Sequence, residues 1–419
     1  MRKRSILMLA PASFPPVNPE ALTNMKLAYV LAKANWQVHI IARPPNKKSP
    51  GRYPAETELF KHENIFIHSV PLLSGRPRLA LAAAQTIVRA GFFCKVGLNW
   101  VYPAVEKALE LTKNVDFSAV LSRTTPLYAH LAGLLFTKKT GIPWLANYAD
   151  PDARSRYPEP YGQGPKGRVA PGTYFLSFGV SRYATHLTFP SRFLADYVCS
   201  YLPGNCRNKA SVIPHVALPS LQTHKRIDTN EKMEALTIVH TGSTRSPRTP
   251  IYFFSGLNRF LASQEKPVKL KVIFCEHKPQ EVRERVKDFG LSEIVEVRDP
   301  MTYAQSGELL ARADIALLLE APMTEGVFLP SKFADYVQAS LPILALSPTV
   351  GTVKSLIESY GGGIAVDGSS PQEVAAALEK LYTLWESASL SEMAVGRLLT
   401  YLGPSAVATA LEDLIYKSQ

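Results

Sequence analysis

A lysine and an aspartate stand three residues apart in the segment LPSKFAD, where a stretch with helical periodicity begins. A helix N-terminus presents free backbone N–H groups and a partial positive charge, so it can hold a phosphate, and Lys332 adds a fixed cation. Ser331 is expected to cap this helix, which is predicted over residues 332–339. The carboxylate of Asp335 can accept hydrogen bonds from the hydroxyls of a ribose, or it can serve the helix dipole alone. The segment therefore predicts a site for a nucleoside phosphate.

A second candidate carboxylate, Asp150, follows an apolar run in the segment GIPWLANYADPD. At the end of a strand such a group can orient an acceptor hydroxyl or accept its proton, although an Asp-Pro pair is also common in turns. Asp150 and Asp152 form an Asp-x-Asp pair, but no His/Cys cluster has the spacing of metal ligands. We therefore expect no metal and no cofactor.

The basic excess of the chain lies wholly in its first half. Residues 1–220 hold 27 Lys and Arg against 11 Asp and Glu, a net charge of +16, whereas residues 221–419 hold 20 against 24, a net charge of −4. The first half is therefore expected to meet an anionic partner, with a solvated basic surface as the alternative. Acidic lipid headgroups and a phosphorylated acceptor qualify as partners. Nucleic acid is not expected, because the chain carries no nucleic-acid-binding motif.

Length and composition limit the number of domains and the class of protein. With 419 residues, 46% of them hydrophobic and 20% charged, the chain is a globular protein too long for a single core. Four cysteines without CxxC spacing favour a reducing cytosol. The first apolar run is too short for a signal peptide, and no window is long enough for a transmembrane helix. Residues 77–104 predict one or two basic amphipathic helices that lie on an anionic membrane or pack on their own domain.

Short apolar runs alternate with helical patterns along the whole chain, which is typical of βαβ units and parallel sheets. Strands are predicted at 5–10, 36–42, 119–121, 144–147, 187–189, 236–240, 270–274, 294–297, 315–319, 343–346 and 363–366. A domain link is expected around residues 209–234. We therefore predict an α/β protein with two Rossmann-like doubly wound domains facing a central cleft, where the carboxyl ends of the strands bind ligands.

The segment EGVFLPSKFADYVQASLPILA, residues 325–345, resembles the donor-binding motif of retaining glycosyltransferases of family four, which have the GT-B fold. Its first Glu-Gly pair and its Leu-Pro pair match the part of the motif that holds the sugar. The second glutamate of the family would fall at Phe333, but a subgroup with the sequence Leu-Pro-Ser-Lys carries its ribose-binding carboxylate two residues later. The resemblance implies a catalytic residue and five donor-binding residues in this segment: Glu325, and then Leu329, Pro330, Ser331, Lys332 and Asp335.

Other segments follow in the order of the family. The loop in HTGSTRSPR resembles the one whose basic side chains neutralise the diphosphate, and a later strand end lies where the family contacts the base. The further donor-binding residues implied are Gly242, Ser243, Arg245, Arg248 and Arg298. In the first half the resemblance implies Asp150 as the catalytic residue at the acceptor, and four acceptor-binding residues, Pro16, Val17, Thr125 and His130.

The resemblance thus implies an enzyme that moves a sugar from a nucleotide-diphosphate sugar to a lipid-linked or polysaccharide acceptor, with retention and without a metal. The implied domains are 1–215 for the acceptor, 216–400 for the nucleotide sugar, and a helix in 401–419 that packs back on the first domain. The expected location is the cytoplasm, or the inner face of a membrane. Two alternatives stay open: a non-catalytic scaffold protein with a degenerate transferase fold, and a sugar-nucleotide epimerase, which would need paired carboxylates at one sugar carbon.

Overall fold

The computed structural model of the protein describes residues 4–14, 18–44, 58–74, 95–221 and 234–418. The candidate acceptor residues Pro16 and Val17 lie outside these ranges, as do residues 77–94 of the predicted amphipathic segment. The chain divides into two compact units. The first comprises Met1–Val216 and Pro404–Gln419, and the second comprises Ala217–Gly403.

The first unit is built on a parallel sheet of seven strands in the order β3-β2-β1-β4-β5-β6-β7. The strands are β1 Arg4–Leu9, β2 Trp36–Ala42, β3 Ile65–Ser69, β4 Phe117–Arg123, β5 Trp144–Asn147, β6 His186–Phe189 and β7 Ala210–Val212. The helices between them are α1 Pro19–Lys33, α2 Lys95–Leu111, α3 Tyr128–Thr140, α4 Pro171–Tyr183 and α5 Arg192–Cys199. The strand order reverses between β1 and β4, and ligands of doubly wound sheets bind at such a switch point.

The last helix of the chain, α13 Pro404–Tyr416, belongs to the first unit. Its Glu412 accepts a hydrogen bond from the indole N–H of Trp36 at 2.7 Å and pairs with Arg4 at 3.1 Å. The guanidinium of Arg4 lies 4.9 Å from the centre of the Trp36 ring. These contacts tie the end of the chain to the first two strands.

The second unit repeats this plan with six parallel strands in the order β10-β9-β8-β11-β12-β13. The strands are β8 Leu236–Gly242, β9 Leu270–Glu276, β10 Val295–Arg298, β11 Ile315–Leu319, β12 Ile343–Ser347 and β13 Gly363–Asp367. The helices are α6 Ile251–Ser263, α7 Pro279–Asp288, α8 Tyr303–Ala311, α9 Ser331–Gln338, α10 Thr352–Tyr360, α11 Pro371–Glu386 and α12 Gly396–Leu402.

Consecutive residues of a strand in the second sheet pack in two separate hydrophobic cores, because side chains alternate between the faces of a strand. Ile238 packs with Phe253 and Phe254 on one face. The adjacent Val239 packs with Phe333 and other residues of α9 on the opposite face. Both faces are therefore covered by helices, which explains why the strands read as continuous apolar runs.

The predicted fold class, two Rossmann-like doubly wound α/β domains, is confirmed. Two strands were missed. Ile65–Ser69 is an edge strand with half-exposed side chains, and Ala210–Val212, assigned to the link, is the three-residue last strand of the first sheet. Both lack a buried apolar run. Within the part of the chain that the structure describes, no helix is long and apolar enough to cross a membrane.

Candidate functional site

Three strand ends of the second unit converge on one polar pocket. β8 ends at Gly242, and its two neighbours in the sheet are β9, which ends at Glu276, and β11, which Glu320 follows directly. Because all three strands are parallel, their carboxyl ends lie at the same edge of the sheet. Glu276 is 2% exposed and Glu320 is 8% exposed. This edge of the sheet therefore holds two buried carboxyl groups that the sequence analysis did not single out.

Lys332 extends into the same place from α9. A Cβ atom at position 242 would collide with the Nζ and Cε atoms of Lys332, so the glycine leaves the room that the ammonium group occupies. Burial, followed by repulsion from Arg248, lowers the pKa of Lys332 to about 8. A desolvated cation of this kind gains strongly from an anionic partner.

Arg248 is the second cation of this pocket. Its Nη1 atom donates a hydrogen bond to the backbone carbonyl of Ser243 at 3.3 Å, and its backbone N–H bonds to the carbonyl of Arg245 at 2.9 Å. This turn brings Arg248 back towards the strand ends, whereas Arg245 is exposed at the tip of the loop. The loop thus presents one partly buried arginine and one in solvent.

Burial disfavours the charged forms of the acids and the histidine beside these cations. Burial raises the pKa of Glu320 to about 8, with Arg248 as the opposing charge, and burial also raises the pKa of Glu276. Burial, then Lys332 and Arg248, lower the pKa of His240 to about 3. The 3.7 Å approach of His240 Nε2 to Glu276 Oε1 is therefore not an ion pair near neutral pH. Two cations beside acids whose charged forms are disfavoured by burial make the pocket suited to an anionic ligand.

Several buried polar atoms of the pocket have no protein hydrogen-bond partner in the described part of the chain. They are His240 Nε2, Ser243 Oγ, Arg248 Nε, Glu276 Oε1 and Glu320 Oε2. Buried polar groups are almost always satisfied, and a cluster of exceptions indicates a bound molecule or water. Both donors and acceptors are included, so the pocket can bind a ligand that carries anionic oxygens together with hydroxyl groups.

The start of α9 corrects one prediction. Ser331 is the first helical residue and not the cap, because the N-cap position is Pro330, whose side chain has no hydrogen-bond acceptor. No side chain caps the helix. A helix start without a side-chain cap, next to Lys332, is suited to an anion.

Asp335 lies one turn into α9 and is half-buried. Its Oδ1 atom accepts a hydrogen bond from the hydroxyl of Tyr303 at 3.1 Å. The next residue, Tyr336, is fully buried and accepts a hydrogen bond from the backbone N–H of Thr241 at 3.1 Å. Its hydroxyl donates in turn to the carbonyl of Leu317 at 3.2 Å. Tyr336 therefore fixes α9 to two strand ends, which sets the position of Lys332 and Asp335.

The loop before α9 is fastened to the start of α10. Gly326 donates to the carbonyl of Val350 at 2.8 Å and accepts from the N–H of Thr352 at 2.7 Å. A Cβ at Gly351 would fall within 2.8 Å of backbone atoms of Gly326, so a glycine is needed at position 351 for this approach. Glu325 itself is exposed. The structure therefore presents Glu325 to solvent at the start of a fixed loop.

Two other predicted donor residues have structural partners. The side chain of Leu329 is 4% exposed and packs in the core around Phe333 and Val239, which leaves only its backbone for a ligand. Arg298 ends the edge strand β10 and forms a two-pronged ion pair with Glu296, at 2.5 and 3.1 Å. Leu329 could therefore contact a donor only through its backbone, and the donor-binding roles of Leu329 and Arg298 stay predictions.

In the first unit, Asp150 lies beyond the carboxyl end of β5. It accepts a hydrogen bond from Tyr157, and the hydroxyl of Thr125 lies 3.5 Å from its Oδ2 atom. Burial raises the pKa of Asp150 above its usual value, against the effect of these hydrogen bonds and of Arg154. The structure thus brings Thr125 and Asp150 together, and a carboxyl with a raised pKa is a better proton acceptor than a solvated one.

Two groups beside Asp150 were not predicted. Glu20, in the first turn of α1, is half-buried, and burial of its carboxyl raises its pKa to about 7, with Arg123 opposing and Asp150 adding to the shift. Arg123 ends β4, is 5% exposed and donates from Nε to Asn24 Oδ1 at 2.6 Å. An acidic residue in a helix first turn is usually assigned to the dipole. Only its proximity to Asp150, which the sequence does not show, distinguishes Glu20 from an acidic residue that serves the helix dipole.

His130 corrects an acceptor-binding prediction. It is completely buried, its Nδ1 atom lies 2.8 Å from Ser122 Oγ, and its ring packs against Trp144 and Tyr148. Burial lowers its pKa to about 3. His130 is therefore a neutral core residue of α3 with no surface to offer an acceptor.

Asp152 differs from Asp150 in the same short loop. It pairs with Arg156 at 2.8 Å and accepts a hydrogen bond from Ser177 at 2.6 Å. Both charged side chains are buried. Among the described residues there is no group of three or more His, Cys, Asp or Glu arranged to hold a metal ion. The absence of a metal requirement stays a prediction.

Comparison with known proteins identifies the fold. No family model and no curated protein matches the sequence. Solved structures do match over nearly the whole chain. Sucrose-phosphate synthase from Thermosynechococcus elongatus is 10% identical with a TM-score of 0.67, covering 99% of both chains. Anabaena HepE in complex with UDP-glucose is 13% identical with a TM-score of 0.68, also covering 99% of both.

A third match carries a different activity in its name. A UDP-N-acetylglucosamine 2-epimerase described from Listeria monocytogenes is 14% identical with a TM-score of 0.59, and the alignment covers 100% of this chain and 96% of that one. At these identities the likeness shows the fold alone. The fold is that of the GT-B glycosyltransferases, which this epimerase shares.

Proposed function

We propose that the protein is a glycosyltransferase that moves a sugar from a nucleotide-diphosphate sugar to a lipid-linked or polysaccharide acceptor. The observation that carries the proposal is the cationic pocket at the carboxyl edge of the second sheet, where Lys332 and Arg248 stand beside the start of α9 and beside buried polar atoms without partners. This pocket lies on a fold whose solved relatives include a protein in complex with UDP-glucose.

The diphosphate is the part of the donor that fits this pocket. As the bond between sugar and diphosphate breaks, negative charge grows on the leaving oxygen, and preorganised cations and helix amides stabilise it. Lys332 and Arg248 supply the charge from inside the protein, and Arg245 adds a second arginine at the loop tip. Charge stabilisation by these groups needs no metal in the proposed mechanism.

The remaining parts of the donor follow from this placement. Asp335 would accept from a ribose hydroxyl while Tyr303 keeps its carboxylate oriented. Glu325 would hold the sugar hydroxyls from its exposed position in the fixed loop. Glu320, whose pKa of about 8 keeps it mainly protonated at pH 7, would donate a hydrogen bond to a phosphate oxygen or a sugar hydroxyl, which a carboxylate could not do.

The acceptor is assigned to the first unit. Asp150, with its raised pKa, would take the proton of the acceptor hydroxyl, and Thr125 would orient it. Glu20 and Arg123 extend this polar edge beside Asp150. We propose retention of the anomeric configuration, which NMR of the product would test directly, and a location at the inner face of a membrane, where a lipid-linked acceptor would be found.

A thermal-shift screen with UDP-, GDP-, ADP- and TDP-sugars tests the donor. One nucleotide should raise the melting temperature, since a ligand at 100 times its Kd stabilises a fold by about 2.7 kcal/mol. The matched variant Lys332→Ala should lose that shift. If no nucleotide shifts the wild-type protein, the transferase proposal fails and the non-catalytic scaffold is favoured.

An epimerase is the second candidate, because Glu276 and Glu320 place two carboxyl groups in the donor pocket and a related structure is named as a UDP-N-acetylglucosamine 2-epimerase. The two activities differ in their products. A transferase given a membrane lipid extract releases nucleoside diphosphate and labels the extract, whereas an epimerase converts one nucleotide sugar into another without any acceptor. NMR of the nucleotide sugar after incubation alone distinguishes them.

A further inference from the structure

The helix α4, Pro171–Tyr183, exposes an aromatic face. Tyr174 is 50% exposed, Phe175 59%, Phe178 54% and Tyr183 44%. Four of the most exposed large hydrophobic side chains in the described part of the chain thus lie on this single helix. Positions 174, 175 and 178 fall on one face because residues three and four apart are neighbours on a helix surface. Contiguous exposed apolar surface of this kind marks an interaction site.

The opposite face of α4 is firmly held. Leu176 and Val180 are buried, and Gly179 packs so closely that a Cβ there would lie 2.7 Å from Leu134 of α3. The ammonium of Lys209 donates to the carbonyls of Ser181 and Ala184 at 3.0 and 2.9 Å, which closes the C-terminal end of the helix. The aromatic face therefore stands on a rigid helix.

The charged side chains of the chain segments around this face are basic, and the one acid in contact with α4, Asp152, is buried and paired with Arg156. Residues 117–149 and 160–195, which include α3 and α4, hold no Asp or Glu. The ammonium of Lys138 lies 4.9 Å from the centre of the Tyr183 ring, and Arg182 is exposed one turn after Phe178. Further exposed cations next to these elements are Lys139, Lys166 and Arg168. These exposed cations are complementary to an anionic surface.

We infer that the aromatic face of α4 docks the protein on an anionic lipid bilayer. Phenylalanine and tyrosine rings insert at the level of the headgroups while flanking Lys and Arg bind acidic lipids. The helix has 13 residues, against the roughly 20 needed to span the hydrocarbon, so it lies in the plane of the interface. A symmetric contact between two copies of the chain would instead bring the exposed cations beside the two helices together, so a bilayer is the better occupant.

A bilayer bound at α4 would hold the proposed lipid-linked acceptor next to the first unit, and in that respect the docking of α4 rests on the proposed function. Vesicle binding itself needs no transfer reaction. A protein that binds vesicles but no nucleotide would overturn the transferase proposal alone, and one that binds nucleotide but no vesicles would overturn the docking of α4 alone.

The test is sedimentation of the full chain with vesicles of phosphatidylglycerol and phosphatidylcholine, against vesicles of phosphatidylcholine only, at low and high salt. The wild-type protein should bind the anionic vesicles and be released by salt. Phe175→Ser with Phe178→Ser should weaken binding by about tenfold or more, because both rings are lost from the interface. Val350→Ser is the control, since Val350 is 53% exposed but belongs to the second unit.

Two charge-reversal variants distinguish the effect of the cations beside α4 from the effect of the net charge of the protein. Lys138→Glu with Arg182→Glu should reduce binding to anionic vesicles, while Arg259→Glu with Lys380→Glu, exposed cations of the second unit, should not. A tryptophan at position 175 should be quenched by brominated lipids. Absent vesicle binding by the wild type, or unchanged binding by the serine pair, overturns the inference. So does a wild-type dimer that the serine pair converts to a monomer.

Discussion

The two units share one order of strands, but different polar groups lie at the carboxyl edge of each sheet. Both strand orders run 3-2-1-4-5-6 from the third strand of their unit. In the first unit this edge holds Asp150 and Glu20 with one buried arginine, Arg123. In the second unit it holds Lys332 and Arg248 with acids whose pKa values are raised by burial.

The composition of the candidate sites does not follow the net charge of their halves of the chain. Residues 1–220 carry +16 and residues 221–419 carry −4, yet both edges combine buried acids with cations. Net charge reports the surface, whereas a site depends on a few desolvated groups. The basic excess of the first half therefore does not identify the groups around Asp150.

The comparison is tested most strongly at Asp150. If this edge accepts a proton, Asp150→Asn should lower the rate of sugar transfer by roughly 100- to 10,000-fold. The affinity for the nucleotide sugar should not change, because the donor groups belong to the other unit. The rate is measured with labelled nucleotide sugar and a membrane lipid extract, and the affinity by calorimetry.

Asp152 provides the matched control in the same loop. Asp152→Asn should instead destabilise the protein by roughly 3 kcal/mol, since the buried Arg156 loses its charged partner. Transfer per folded molecule should stay near the wild-type value. A rate loss equal to that of Asp150→Asn would mean that the loop, and not the one carboxyl, is what matters.

The cationic edge is tested at Lys332. Lys332→Ala should weaken binding of the nucleotide sugar by about 10- to 100-fold, which is the range of a charge-assisted hydrogen bond to a buried group. Calorimetry measures the loss, and Lys332→Arg should retain part of the affinity. An alanine variant that binds as tightly as the wild type would end the assignment of this pocket to the diphosphate.

Gly242 offers a smaller change at the same place. A methyl group there would displace the ammonium of Lys332, so Gly242→Ala should weaken nucleotide-sugar binding by about tenfold. Gly307→Ala is the control, because a Cβ at that position meets nothing within 4 Å. Equal affinities in the two variants would show that the position of Lys332 is not critical.

The smallest expected effect is a pH dependence confined to the second unit. The pKa of Lys332 is about 8, so its charged form is mostly present at pH 7 and is lost above pH 8. Binding of the non-titrating diphosphate should therefore weaken by roughly fourfold between pH 7.0 and 8.5, and protons should be taken up on binding. Calorimetry in buffers of different ionisation enthalpy measures both.

Two variants identify the group responsible. Deprotonation of Glu320, whose pKa is also about 8, would act in the same direction. Lys332→Arg should flatten the profile if the lysine is the cause, and Glu320→Gln should flatten it if the glutamate is. A profile that neither variant alters would place the titrating group elsewhere.

The amino-acid sequence by itself determined the architecture and part of the sites. Buried strands such as Trp36–Ala42 and Ile315–Leu319 were predicted with their bounds, because a strand covered on both faces must be apolar throughout. Ordered parallel strands also place the residues that follow them at one edge, so Asp150 and Lys332 could be proposed as site residues from the sequence, and their roles stay predictions.

Only the tertiary structure decided which groups share an edge and which are buried. Glu276 and Glu320 lie 44 residues apart in the chain and meet because their strands flank β8. His130 and Phe178 both follow helical periodicity, but the first is fully buried and the second is 54% exposed. Burial sets the pKa of a group and the accessibility of a ring, and it depends on packing partners distant in sequence, which no local pattern contains.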